Sequence, residues 1–377
     1  MEYLKKFNSH SQYVAFAQSG IMPTVCFCVN EGDLHYNVDG LCFMATQANS
    51  TIKLNRVGTS TSLKTANLQY SIDRGNTWTN YIFTKQGNSG YSGETITLAN
   101  VGDSVNFKGV NNTFSNGIND YHNFVMTGKI SVEGDITSLL NNVGGDASMA
   151  GYCFYRMFRG CTALTKTPNL PSTELSDYCY HYLFVNCISL TEAPKLVATT
   201  MKTSCYSLMF AGCTGLTTAP ELPATTLAEN CYTSMFSSCT SLATAPELPS
   251  ETMKRSCYGY MFAGCTALTA APELPATNLE RSCYNFMFNF CTSLTAAPEL
   301  PATVLSGSSC YAGMFQGCSN LSYIKAMFTT TPSTSYTNNW VSGVNSTGTF
   351  VKNSSATWNV NGVHGVPNGW TVQTAST

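Results

Sequence analysis

The chain has 377 residues, of which 43% are hydrophobic and 12% aromatic, enough to bury a sizeable core in two or three domains. Only 11% are charged, against about a quarter in ordinary soluble proteins, so Ser, Thr, Asn and Gly must build the surface, as in surface or secreted β-rich proteins. A net charge of −2 without a Lys/Arg cluster leaves no footprint for a phosphate backbone, which argues against nucleic acid and against an anionic membrane surface.

Residues 1–44 read as a short anchor segment. SQYVAFAQS (11–19) is helix-like, and TVCFCV and DLHYN are strand candidates joined at Asn30, Glu31 and Gly32. A helix and one hairpin bury too little apolar surface to stand alone. Val25, Phe27, Val29 and Leu34 must therefore lie against the adjacent β-domain, another copy or a separate protein. Docking on a partner is favoured, because Cys26 and Cys28 between them leave two apolar faces to cover. The basic pair near the start is followed by Asn, Ser and His where an export signal needs an unbroken apolar stretch. No segment has the ~18 consecutive apolar residues of a membrane span. The expectation is a chain made in a cytoplasm, without membrane insertion.

Residues 45–128 alternate apolar and polar side chains in LQYSI, ETITL, DSVNFKG and HNFVMTGKISV, which predicts a small all-β sandwich. Within it, SIDRGNTW (71–78) is similar to the Asp-box of sialidase propellers, which implies a structural hairpin turn. One copy is present, and no nucleophile–base pair, HExxH, P-loop or GxGxxG in a strand–helix setting accompanies it. The expectation is no enzyme: no catalytic residue, no cofactor and no metal. A glycan-active enzyme is the reading that rests on the single Asp-box alone.

From residue 129 the sequence becomes periodic. Cys153, Cys179, Cys205, Cys231, Cys257, Cys283 and Cys310 form one column, and Cys161, Cys187, Cys213, Cys239, Cys265, Cys291 and Cys318 a second, at a step of 26 residues and finally 27. A period of this size marks a solenoid whose units bury their apolar faces against each other. At ~100° per residue the Leu, Cys, Tyr, Met and Phe positions of L-x-x-x-C-Y-x-x-M-F-x-G-C share one face, which predicts a short helix. LTTAPEL (216–222) then reads as a short strand limited by its prolines, and Thr225 or Thr226 as the cap of the next helix. The predicted class is an α/β leucine-rich-repeat solenoid of seven helix–strand coils over 129–328, closed by a β cap over 329–377. Around MFxGCTSLTxAPxLP the repeat resembles the BspA-like leucine-rich repeats of bacterial surface proteins. The final coil departs from the pattern, with Ile324 and Lys325 in place of Ala-Pro, as a terminal cap would.

Fourteen of the seventeen cysteines lie in the two columns. Zinc needs convergent ligands in close pairs, whereas these are eight apart and the five histidines do not follow the period. Disulfides need an oxidising compartment and side chains that point toward each other. Packing as small buried apolar residues is the favoured reading.

Binding candidates are the residues that follow the first proline of each strand, Glu221, Glu247, Glu273 and Glu299, and the aromatics Tyr182, Tyr260 and Phe286. The glutamates are favoured as a solvated stripe over a site for a cation or basic ligand. The aromatics could stack on sugar rings or pack on the flank of the coils. Residues 7–37 also resemble the N-terminal segments of bacteroidete (crAss-like) phage fibre proteins. That resemblance implies a non-enzymatic virion adhesin, assembled in the host cytoplasm and fixed to other virion proteins by its N-terminal segment. The repeats would then face a host surface protein or glycan, with the oligomeric state open. A bacterial cell-surface adhesin is the alternative.

Overall fold

The computed structural model describes residues 40–58, 63–87 and 90–375. It also gives the backbone pairing of three short strands before them, β1 (Lys6–Phe7), β2 (Phe27–Asn30) and β3 (Asp33–Tyr36). β2 and β3 run antiparallel with Asn30 opposite Asp33, and β1 pairs parallel to β2. Val25 and the SQYVAFAQS segment lie outside the described residues, as do the side chains of Phe27, Val29 and Leu34.

The alternating segment that follows forms β4 (Leu41–Ala45), β5 (Ser50–Val57), β6 (Leu68–Ser71), β7 (Thr79–Asn80), β8 (Phe83–Lys85), β9 (Gly90–Gly93), β10 (Ile96–Leu98), β11 (Ser104–Gly109), β12 (Tyr121–Thr127) and β13 (Ile130–Glu133). In β5, Ser50, Ile52, Leu54 and Arg56 point inward, as a period of two requires. β5 pairs with β12 on one side and with β10 and β9 on the other. β4, β11, β6, β7 and β13 make a second sheet. Phe43 of that sheet meets Phe124 of the first at 4.7 Å, which locks the two together.

The second sheet runs on into the repeat, because β13 pairs parallel with β14 (Leu164–Lys166) of the first coil. From there coil stacks on coil through parallel bridges one repeat apart, among them Leu170 with Leu196, Glu192 with Thr218, and Thr218 with Thr244. The stack ends in a parallel sheet of β15 (Tyr323–Ala326), β16 (Thr349–Lys352) and β17 (Thr371–Thr374).

The coils contain no helix, which corrects the predicted α/β class. Among the described residues the helices are two single turns, Ser138–Asn141 and Thr334–Thr337, both outside the coils. The molecule is mostly β, and the leucine-rich-repeat geometry of one helix backed by one strand is not adopted. Thr226, expected as a helix cap, sits instead in a parallel bridge with Thr200.

The segments expected to be helical form a ribbon of consecutive turns. In the coil of CYSLMFAGC, the N–H groups of Ser207, Met209, Ala211 and Cys213 donate to carbonyls three residues back. The alternate N–H groups of Tyr206, Leu208, Phe210 and Gly212 donate instead to Cys231, Thr233, Met235 and Ser237 of the next coil. Every fourth residue is left-handed, as the third position of a type II turn requires: Ser204, Leu208 and Gly212 here, and the equivalent three in each coil. The pattern Cys-Tyr, Met-Phe, Cys has a period of four. Over nine residues it also falls on one face of a helix, so hydrophobic spacing alone does not separate the two.

What the ribbon buries is continuous. Phe158, Phe184, Phe210, Phe236, Phe262, Phe288 and Phe315 stack ring on ring at 5.5–5.8 Å, and Tyr180 to Tyr311 form a second column at 5.8–6.0 Å. Each buried phenylalanine ring contributes about 1.5–3 kcal/mol relative to exposure. Phe124 of β12 stacks on Phe158 at 5.2 Å, so the β-domain caps the first coil. Trp340 closes the far end against Tyr311 and Phe315.

Candidate binding surface

The middle left-handed position of each coil carries a different residue almost every time, Arg156, Tyr182, Leu208, Ser234, Tyr260, Phe286 and Gly313; it is exposed at Tyr260, buried at Gly313 and half-buried at the rest. The three predicted aromatics are therefore equivalent positions of one column. Tyr260 and Phe286 are neighbours, with rings 4.8 Å apart and 11° from parallel. Phe286 in turn lies over Gly313, where a Cβ would come within 2.2 Å of the ring. That glycine is needed both for its left-handed backbone and for the ring above it. Tyr260 is 38% exposed, whereas Phe286 has one face on Tyr260 and the other on the glycine. Tyr182 stands apart, in a cluster with His181 and Arg156.

The four glutamates lie half a coil away, and the structure does not bring them together with the aromatics. In each Ala-Pro-Glu-Leu-Pro segment the first proline and the leucine are buried while the glutamate faces solvent. The proline nitrogens cannot donate, so backbone pairing breaks into isolated bridges here. Two open grooves of about 340 and 350 Å³ run between successive segments, walled by Pro246, Pro272 and Pro298 and by Glu247, Glu273 and Glu299. Lys195 holds the same position one coil before Glu221; Lys325 falls at the proline position by sequence, but the bridge of Leu300 with Ala326 sets it level with Glu299, and its Nζ pairs with Glu299 at 2.9 Å. Glu221, Glu247, Glu273 and Glu299 are thus an exposed acidic stripe with a cation at each end.

The Asp-box residues are occupied in closing a turn. One Asp73 carboxylate oxygen accepts from the Ser71 hydroxyl and the Thr77 N–H, and the other from the Thr77 hydroxyl at 2.6 Å. Trp78 donates from Nε1 to the Gly75 carbonyl, and its ring carries Lys108 Nζ 3.8 Å away. The Ser71 and Thr77 hydrogen bonds hold the Asp73 carboxyl down to about 2.

The cysteines of both columns are buried and free. In the second column each thiol donates to a phenylalanine carbonyl one coil back, as Cys239 does to Phe210 at 3.2 Å, and Cys161 of the first coil donates to Phe124 of β12. In the first, Cys205 and Cys257 rest on Met201 and Met253 sulfurs. Burial pushes Cys213, Cys257 and Cys265 up to about 12, far from the thiolate needed for nucleophilic or metal chemistry. Among the described residues no three Cys, His, Asp or Glu side chains converge as metal ligands, and no helix is long and apolar enough to cross a membrane.

Sequence reasoning passed over Arg156 and the tyrosines around it. The available signal was its place in the column, since Arg156 stands one repeat before Tyr182. No family model, curated protein or solved structure matches the chain.

Proposed function

We propose that this protein is a non-enzymatic adhesin that displays its coil stack to a host surface protein or glycan. The observation that carries this reading is the contrast between two kinds of column. The inward positions repeat Cys, Tyr, Met, Phe and Cys with little change, while the middle left-handed position, mostly half-buried and exposed at Tyr260, changes from coil to coil. A constant interior that holds a varied, regularly spaced row is the construction of a repeat-protein binding platform. The exposed Tyr260 ring next to Phe286 gives that row a flat apolar element suited to a sugar ring.

The place of display that we propose is a virion, with the β2–β3 hairpin segment docked on other virion proteins. This rests on the resemblance of residues 7–37 to phage fibre segments. Binding of the labelled full chain to bacterial surface fractions and a glycan array tests the adhesin reading, and retention on neither contradicts it. Deleting residues 1–40 should abolish incorporation into particles, and normal incorporation would exclude the anchor.

A further inference from the structure

Arg156 sits at the junction between the β-domain and the first coils. Its guanidinium carbon lies 4.8 Å from the Tyr155 ring centre, 5.0 Å from Tyr182 and 5.4 Å from Tyr121 of β12. Three rings from three segments thus fix the side chain, and much of its rotamer entropy is already lost. Yet the charge has no counter-ion among the described residues. The ion pairs Arg56–Asp120, Lys166–Glu133 and Lys325–Glu299 all lie elsewhere. The Asp177 carboxylate, whose charge acts on Tyr152, accepts the Thr203 N–H at 2.9 Å.

The Nε of Arg156 is sealed from solvent without a hydrogen-bond partner, and so is Nδ1 of His181. His181 stacks on Tyr155 and meets Tyr182 edge-on at 4.3 Å. Burial, with a smaller contribution from Arg156, draws its pKa down to about 4, so Arg156 is the one cation of this cluster at neutral pH. Beside it the Tyr152 and Tyr178 rings stack, 4.4 Å apart and 3° from parallel, both partly exposed.

We propose that Arg156 and the surrounding tyrosines form a binding site for a carboxylate-bearing sugar, with the acid on the Nη1–Nη2 edge of the guanidinium, away from the sealed Nε, and the sugar ring against tyrosine faces. A planar guanidinium fork held in place matches a carboxylate in two parallel hydrogen bonds, and pre-organisation removes much of the ordering cost of binding. Tyrosine faces present apolar surface to sugar C–H groups, and their hydroxyls exchange hydrogen bonds with the ligand. The inference rests on the adhesin reading for its biological setting and on the geometry alone for its chemistry.

The test is calorimetric titration of the full chain with two matched pairs, trigalacturonate against galactotriose and sialyllactose against lactose. The expected result is binding of at least one acidic member, about tenfold or more weaker binding of its neutral counterpart, and attenuation by salt. Arg156→Gln should lose about tenfold or more of that affinity, and Arg156→Lys, which keeps the charge without the fork, should fall between. Melting curves of both variants identify any unfolding, and the lysine variant decides the matter if the glutamine variant does not fold. Absence of binding by both acidic sugars overturns the site, as does equal binding by wild type and variants. Wild-type chain that binds an acidic sugar but no host surface fraction and no array glycan of any other kind removes the adhesin reading and leaves the site standing.

Discussion

The thiol of Cys213 donates to the carbonyl of Phe184, 3.1 Å away, and the same carbonyl accepts the N–H of Cys187. Sulfur is small enough to sit between coils and polar enough to use the carbonyl's second lone pair, which accounts for cysteine where alanine or leucine would otherwise serve. Cys213→Ala should therefore cost about 1–2 kcal/mol, through the lost bond and a small void. A thiol reagent applied to the native protein should leave all the column cysteines unmodified, and denaturant should release them. Rapid labelling of several column thiols in the native state would contradict this account.

Leu242 is fully buried, in a coil flanked on both sides by coils with leucine at the same place, Leu216 and Leu268. Its neighbours cannot collapse into the space without disturbing their own columns. Leu242→Ala should cost about 2–5 kcal/mol in chemical denaturation. An unchanged midpoint and slope would mean that this column is not core.

The turn ribbon makes a claim about backbone conformation. Ser238 has φ 61° and Gly264, its equivalent in the next coil, φ 76°. A Cβ on Gly264 would meet nothing closer than 3.4 Å, so strain there comes from the backbone and not from crowding. Gly264→Ala should destabilise by about 1–2 kcal/mol, whereas Ser238→Gly should be neutral or stabilising by up to about 1 kcal/mol. A helix at this position would reverse both signs, since glycine weakens a helix and alanine favours it.

Stability should depend on pH through His122. Its Nε2 accepts the Ala66 N–H at 3.1 Å, which leaves Nδ1–H to donate to the Phe114 carbonyl at 3.0 Å. A second proton on Nε2 would face another donor inside the core. Burial above all draws the pKa of His122 down to about 4, and burial does the same for His181. Because both folded values lie below the unfolded value of about 6.5, the unfolded chain takes up protons first as pH falls. The melting temperature should hold above pH 7 and drop progressively from about pH 6.5 down to about 4, with a shallower drop in His122→Asn. A flat profile across that window would contradict the buried neutral imidazoles.

The period of the repeat was legible in the sequence because identical residues stack on identical residues, and the cysteine columns mark each coil. The hairpin turn at Asp73 could likewise be read from Ser71, Gly75 and Thr77. The helix was a misreading with a physical cause: apolar pairs four residues apart satisfy a helical face and a turn ribbon equally over so short a stretch. The distinguishing signal lay in the residues just before each cysteine. Gly160, Gly212, Gly264 and Gly317, with Asn186, Ser204, Asn230 and Ser256, are mostly types that tolerate a left-handed backbone or hydrogen-bond locally, and they recur where a helix needs neither. Arg156 was not visible as a site, because its tyrosine neighbours come from β12 and from two coils, brought together only by the fold.

The central claim is that a constant interior carries a row of varied residues that do the binding. The most direct measurement compares wild-type chain with a triple variant, Tyr182→Ser, Tyr260→Ser and Phe286→Ser, for retention on host surface fractions and for melting temperature. The account predicts retention reduced about tenfold or more while the variant still melts cooperatively, at a modestly lower temperature because Tyr182 and Phe286 also pack on their neighbours. Full retention by the triple variant would contradict it.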